Sequence, residues 1–429
     1  MKSKDPRVVI TGLGIVAPNG YGIDEFTAAL RSGTSGIRFI PKLKELNFGC
    51  QVGGVPQGIL EKATGVLSNT MLVAMNEGMI YASLAAIEAF KDAGLSIPRW
   101  DEDLVDEDTG AVVGTGIGGI DVFADKVYQN VVAGQVRRCG GSIVEQIMAS
   151  AVSARLGGLL ALGNQVTTNS SACSTGLEAI IMGAQRIKMG LAKRMVVGGV
   201  EGTSPFIWAG FDSLRVLCRK FNDQPTASSR PMSASSAGFV PGGGAGILIV
   251  EDLDTAIKRG ARIYAEILGS SINSGGMRFG GSMTAPSARG VKRCVREAVL
   301  QAKIKPADIQ YINGHLTATF ADPVEVKNWS EGLELEPSKL PLINSTKSLI
   351  GHTLGAAGAI ETIATVLQLK NNFVHASLNC EDLHPELNAY SPSIVRETTY
   401  KSLEIAAKAS FGFGDVNSCM ILKNWRKNL

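Results

Sequence analysis

The 429-residue sequence is poor in charge, in histidine and in paired cysteine. Charged residues make up 19%, and 42 Lys and Arg against 39 Asp and Glu leave a formal charge of only +3. That is too near balance for a protein built to hold nucleic acid. No apolar run approaches the roughly 20 residues that cross a bilayer. The opening Met1 to Pro6 leads straight into a strand-like run from Arg7 to Ile10, so a secretory leader is not expected. Cys50, Cys139, Cys173, Cys218, Cys294, Cys380 and Cys419 are odd in number, scattered and never spaced as C-x-x-C, which argues against both a disulfide framework and a zinc site. The expectation is a cytoplasmic protein with reduced thiols, no metal, no membrane contact and no nucleic-acid partner.

Glycine and short apolar runs are what the chain does have: 50 glycines and 45% hydrophobic residues. Runs at Val8–Thr11, Ala111–Gly114, Met195–Gly199, Ile247–Val250, Ile263–Ile267, Ile309–Ile312 and Cys419–Leu422 alternate with helix-period stretches. This is the rhythm of an α/β protein with buried sheets. Helices are expected over Met75–Asp92, with Gly94 as its stop, and over Ser174–Met189. The stretch EDLDTAIKRG (251–260) has acids in its first turn, bases in its last and a closing Gly, which suits a connection between halves 1–250 and 251–429. Each half carries a strand, a turn of small residues and a small-residue helix, at 165–189 and 342–370. The pattern points to a duplicated unit.

Three local features bear on chemistry. The run GTGIGG (114–119) satisfies G-x-G-x-x-G after a strand, but no second strand ending in an acid follows, so a close-packed turn is the better reading than a dinucleotide site. In TNSSACSTG (168–176), Cys173 falls at a strand-to-helix turn. The unpaired N–H groups and helix dipole there should lower a thiol's pKa and hold an oxyanion. A buried, inert thiol is the alternative, and the default for the other six. Of four histidines, His315 follows a strand and His352 precedes the second small-residue helix, where an α/β protein gathers catalytic groups. His375 and His384 lie in ordinary loops and read as structural.

SACSTG (171–176), N-x-H-x-T-x-T (313–319), STKS-x-x-GH-x-x-GAAG (345–358) and SFGFG (410–414), in this order and spacing, resemble the β-ketoacyl-acyl carrier protein synthases of the type I/II branch. The likeness extends to VVITGLGIV (8–16), the GTGIGG turn and GFVPGGGAG (238–246). It implies the thiolase-like duplicated fold, layered αβαβα, and a decarboxylative Claisen condensation of an acyl thioester with malonyl-acyl carrier protein. By resemblance, Cys173 is the nucleophile and His315 and His352 donate to the enolate. The backbone N–H groups of Cys173 and Phe413 form an oxyanion hole, and Lys347, supported by Glu361, either organises the pocket charge or forms a structural ion pair. Thr317 and Thr319 would meet the phosphopantetheine arm, and Ile117 and Phe413 the acyl pocket, with Phe413 as gate. Arg137, Arg138, Arg215, Arg219 and Lys220 form either a rim for an acidic carrier protein or an ordinary solvated face. No cofactor is implied beyond the carrier-bound substrates, and a homodimer, or a heterodimer with a related subunit, is expected.

The sequence also departs from that pattern. Leu316 follows His315 where relatives often have Gly, Asp415 and Val416 replace a Gly-Thr pair, and the 231–238 region lacks two acids. If Leu316, Asp415 and Val416 line the path to Cys173, they narrow the gate and mark a specialised synthase. A non-condensing partner subunit of the chain-length-factor kind is the rival reading, and the presence of Cys173 argues against it. A thiolase would use a Cys/His/Cys arrangement instead.

Overall fold

The computed structural model describes residues 6–426; the expectation for the start of the chain, Met1 to Asp5, lies outside them. Two runs of elements follow one another in the same order. The first is β1 (Val8–Ala17), α1 (Glu77–Asp92), β2 (Thr109–Thr115), α2 (Ala151–Leu159), β3 (Val166–Thr167), α3 (Thr175–Lys188), β4 (Arg194–Glu201) and β5 (Gly244–Asp252). The second is β6 (Ala265–Ser274), α4 (Ala288–Ala302), β7 (Tyr311–Asn313), α5 (Asp322–Leu333), β8 (Leu342–Asn344), α6 (Ala357–Asn371), β9 (Ile405–Gly412) and β10 (Val416–Asn424). The sheet order repeats as well, β3-β2-β4-β5-β1 followed by β6-β10-β9-β7-β8. In both halves the second strand in sequence pairs in parallel with the third and fourth, and the fifth pairs antiparallel with the fourth and first. The duplication inferred from two small-residue helices therefore holds for all sixteen elements. The helix Leu253–Lys258, capped by the Asp252 carboxylate, links the two runs.

The halves meet edge to edge only over Val8–Ile10 against Ala265–Ile267, then fold over one another across α3 and α6. Strand residues alternate between two cores, as the period of two requires. Leu248 and Val250 join the central core around α3 and α6, while Ile247 and Ile249 join an outer core with α1 and α2. In the second half Met420 and Leu422 face the centre, and Cys419 and Ile421 pack under α4 and α5. The central core fills both sides of the α3/α6 layer and an outer core lies beyond each set of strands, which gives five layers, αβαβα. Burial on both faces explains why the strands read as continuous apolar runs rather than alternating ones.

Sequence expectations for strand positions hold with small shifts: β6 begins at Ala265 and β7 at Tyr311. β9 was missed, because alanine, lysine and serine dilute its apolar signal. Helix α1 begins one residue after Asn76, whose side chain accepts the Met79 N–H at 2.8 Å. Among the described residues no helix is long and apolar enough to cross a membrane.

The central layer needs small residues. A Cβ on Gly358 of α6 would lie 2.5 Å from the Leu177 nitrogen of α3, and one on Gly176 would lie 2.8 Å from the Ala359 nitrogen. The two helix starts thus touch backbone to backbone, and neither backbone can yield cheaply. Gly358→Val is expected to cost about 3 kcal/mol or more by overpacking, read as a lowered urea midpoint. Gly210→Ala, whose Cβ meets nothing within 4 Å, is the control and should stay within about 0.5 kcal/mol of wild type.

Candidate active site

Cys173 precedes α3 in a sharp turn. Ala172 takes the left-handed φ of 48°, unusual for a residue with a Cβ, and Thr175 Oγ1 holds the turn by accepting the Ser171 N–H and donating to the Ala172 carbonyl, both at 2.7 Å. The hydroxyl of Ser174 reaches the second half, 2.7 Å from Ser418 Oγ and 3.2 Å from the Ser410 carbonyl. That contact sets the end of β9 beside the thiol. A Cβ on Gly412 would sit 2.9 Å from the Ser171 carbonyl and 3.2 Å from the Cys173 nitrogen, so glycine lets the next peptide approach, and the Phe413 N–H faces the Cys173 sulfur and favours its thiolate.

His315 lies two residues beyond β7. Its backbone N–H and that of Leu316 donate to the two Glu325 oxygens at 2.6 and 2.7 Å, and its carbonyl accepts from Lys347 Nζ at 2.6 Å. His352 is held by the GFVPGGGAG segment: its N–H donates to the Val240 carbonyl at 2.7 Å and its own carbonyl accepts from Gly242 at 2.9 Å. The two rings meet edge to face with centroids 5.3 Å apart. The Cys173 sulfur and one nitrogen of each ring all lie within 4.8 Å of one another. They open on a cavity of about 330 Å³ that Thr317, Thr319, Phe320, Phe239, Phe211 and Phe413 also line. The Thr317 and Thr319 hydroxyls are 3.0 Å apart.

The Leu354 N–H donates to His352 Nδ1 at 3.2 Å, which leaves the proton of the neutral ring on Nε2. His315 Nδ1 is buried without a protein partner. Both imidazoles are pushed well below the usual histidine range, by burial first and then by the Lys347 ammonium, with Lys408 acting in the same direction. They are neutral donors at neutral pH. Behind them Lys347 Nζ meets Glu361 Oε1 at 2.5 Å and Lys408 Nζ meets Glu361 Oε2 at 2.7 Å, all three without solvent.

The thiol corrects one expectation. Burial pushes Cys173 up to about 11, and the Lys347 charge and Phe413 N–H only partly oppose that. Desolvation of the thiolate outweighs the helix start, so the resting thiol is protonated.

Leu316 brings a second correction. It is fully buried in the outer core with Trp329, facing away from the cavity, and adds no bulk on the path to Cys173. Asp415 does not stand in that path either. It takes a left-handed φ of 57°, and its buried carboxylate accepts the Met277 and Ser287 N–H groups at 3.0 and 2.8 Å, tying the Phe413 turn to the loop 275–287. Val416 packs under the same turn, with a Gly412 Cβ 3.0 Å from its methyl.

The structure brings Cys173, His315, His352, Thr317, Thr319 and Phe413 around one cavity, with Lys347 and Glu361 in contact behind it. It does not bring Ile117 there: that residue is half-exposed, and its N–H donates to Glu201. Arg215 adjoins the cavity-lining Val216, Arg219 is engaged by Asp212 at 3.2 Å, Lys220 lies over Phe221, and Arg137 and Arg138 occupy a distant exposed turn at 136–139. The glycine turn proves to cradle a carboxylate. Glu201 accepts from Gly116, Ile117 and Thr115 of the first half and from Gly355 of the second, at 2.9 to 3.1 Å. Sequence reading missed Glu201 and Lys408. A lone lysine in the small-residue run IAAKASF (405–411) was the available signal for the latter.

Comparison with known proteins gives the family and agrees with the fold. The model of the beta-ketoacyl synthase N-terminal domain matches residues 5–256 and that of the C-terminal domain residues 264–381. The 3-oxoacyl-[acyl-carrier-protein] synthase 1 of Haemophilus influenzae is 36% identical over 98% of this chain and 99% of that protein, and that of Escherichia coli 35% over 97% and 98%. Among solved structures, a beta-ketoacyl synthase from Burkholderia phymatum superposes with a TM-score of 0.89 at 29% identity, covering 98% of this chain and all of that one. The ishigamide ketosynthase/chain length factor gives 0.88 at 27%, covering 99% and 100%.

The protonated thiol makes a testable statement. Iodoacetamide labelling of Cys173 should be slow at neutral pH and climb toward a midpoint near 11. A rate already at its plateau by about pH 8 would show a thiol activated in the resting protein.

Proposed function

The chain belongs to the β-ketoacyl synthase family, which condenses an acyl thioester with malonyl-acyl carrier protein, and on that premise we propose how its own residues carry the two stages. The first half, 1–250, supplies the nucleophile and the second, 251–429, the two histidines. Cys173 attacks the carrier thioester, its proton passes by way of a neighbouring imidazole to the departing pantetheine sulfur, and the acyl group stays on the enzyme. The tetrahedral oxyanion rests on the N–H groups of Cys173 and Phe413. The Phe413 N–H already directed at the sulfur supports this.

In the second stage a malonyl thioester lies along Thr317 and Thr319 and loses carbon dioxide. His352 Nε2–H and the His315 ring donate to the enolate oxygen, each donor contributing roughly 3 kcal/mol of transition-state stabilisation. The carbanion then attacks the acyl-Cys carbonyl, and as the tetrahedral intermediate collapses the C–S bond breaks: Cys173 leaves as thiolate and is reprotonated, and the 3-oxoacyl group leaves on the carrier thioester. Lys347, paired with Glu361, fixes the His315 backbone and supplies charge. The observation that carries this reading is the sulfur and two ring nitrogens within 4.8 Å of one another. Cysteine and two histidines are also zinc ligand types. Here, however, the Nδ1 lone pair of His352 is taken by Leu354, so its outer nitrogen offers a proton rather than a lone pair. No cofactor enters these steps.

The carrier protein would approach over the exposed Phe320 and the lip carrying Arg215, Arg219 and Lys220, with Arg137 and Arg138 as more distant charges. Phe413 acts as the gate, and Ile117, which lies outside the cavity, takes no part in it. The Asp415 tie stiffens that gate, which fits a synthase with a narrow range of acyl primers. A second copy, or a related subunit, would cover the β3 edge and the neighbouring exposed apolar segment with Phe123, Tyr128, Val132 and Val144.

Two measurements test the reading. Cys173→Gln, which mimics an acylated thiol, should keep or raise malonyl decarboxylation while abolishing condensation; a folded variant that decarboxylates nothing would overturn the histidine assignment. Sedimentation at micromolar concentration should give a species of twice the 45.1 kDa chain mass, and a monomer would contradict the covered edge.

A further inference from the structure

We propose that Lys408 is a positioning residue of the condensation site: facing Glu361 opposite Lys347, it leaves the buried ion cluster behind the two imidazoles with one net positive charge. This rests on reading His315 and His352 as neutral donors to an enolate. Lys408 lies in mid-strand on β9, beside Asn313 of β7, the strand that leads into His315. Its neighbours along the strand are Ala406, Ala407 and Ala409, and its side chain has no exposure.

One carboxylate thus serves two lysines, at 2.5 Å from Lys347 and 2.7 Å from Lys408; burial pulls Lys408 below the usual lysine range and the Glu361 carboxylate opposes that, holding its proton. Lys408 Nζ also donates to the Ala409 carbonyl. Burying an ammonium beside a carboxylate that another lysine already neutralises is costly, and an apolar side chain would fill the same space at less cost. The cost is justified if the extra charge acts on something nearby. Two neutral rings and the oxygen they would serve are what lies there.

The other charged groups around the cluster come from separate elements. Glu325 and Asp322, from the start of α5, are occupied by the backbone N–H groups of His315, Leu316, Thr317 and Ala318. Burial pushes Glu325 up to about 7 and Asp322 up to about 6, so at neutral pH Asp322 is largely ionised and Glu325 partly so, and both direct their oxygens at backbone N–H groups rather than at either lysine. Cys173 is protonated. The surplus positive charge is therefore left to disfavour imidazolium and to favour an enolate. Lys408 acts in the depressing direction on both rings.

The test follows the four histidine rings by NMR against pH in protein labelled at histidine Cε1, with His315 and His352 assigned by single substitution. In wild type both rings should titrate well below the usual histidine range. In Lys408→Met at least one midpoint should rise by roughly 0.5 pH unit or more, because a lost neighbouring cation raises an imidazole pKa. Lys408→Arg should keep the wild-type titration. The double variant Lys408→Met with Glu361→Gln again has one net positive charge, from Lys347, and should return to it. Restoration by charge alone is what a merely structural role would not give.

Unchanged midpoints in a folded Lys408→Met, or a double variant that does not revert, would overturn the proposal. Lys408→Gln, which keeps a donor to Ala409, serves if the methionine variant does not fold. Ring titration needs no turnover, so its failure counts against Lys408 alone, whereas a folded Cys173→Gln without decarboxylation counts against the histidine assignment.

Discussion

The backbone contact between the starts of α3 and α6 is the constraint on which the site depends. Gly176 and Gly358 let two helices, one from each repeat, approach until a Cβ on either would meet the other's backbone nitrogen. That approach places Cys173, one turn before α3, opposite His352, which precedes α6. Ser174 adds the end of β9 through the Ser410 carbonyl, and with it the Phe413 N–H. A larger residue at either glycine would separate the nucleophile from its donors by about the width of a methyl group, and a site of this kind tolerates little displacement.

Glu201 fastens the same junction from below. Its carboxylate has no solvent and four donors, three from the turn after β2 and one from Gly355 ahead of α6. The glycines that imitate a phosphate-binding loop are needed because backbone N–H groups must reach a carboxylate inside the protein: a Cβ on Gly116 would lie 2.6 Å from Glu201 Oε2. The anion in this glycine turn is the protein's own.

The electrostatics of the cavity follow from its dryness. Burial holds the thiol protonated and both imidazoles neutral, so the resting site has donors in place and no nucleophile until substrate displaces the balance. Positive charge is stored one layer back, in Lys347 and Lys408 around Glu361, where it acts on the pocket without contacting substrate. The low dielectric that makes these charges expensive to bury also makes them effective across a few ångströms.

The sequence alone determined the α/β class, the repeat and three side chains that the fold brings together, Cys173, His315 and His352. Strand runs, small-residue helices and the settings of Cys173, His315 and His352 are local features, readable wherever local chemistry fixes them. Only the tertiary structure decided what depends on residues far apart in the chain. Leu316 follows His315 yet turns into the outer core, because Trp329 and Val326 of α5 leave room for it there. Asp415, in a turn that favours glycine, is held by N–H groups more than a hundred residues away. Lys408 looks like a stray charge in a strand until folding brings it to Glu361. The pKa of Cys173 was set by burial, a property of the packed whole, and so the helix-start argument gave the wrong direction of shift.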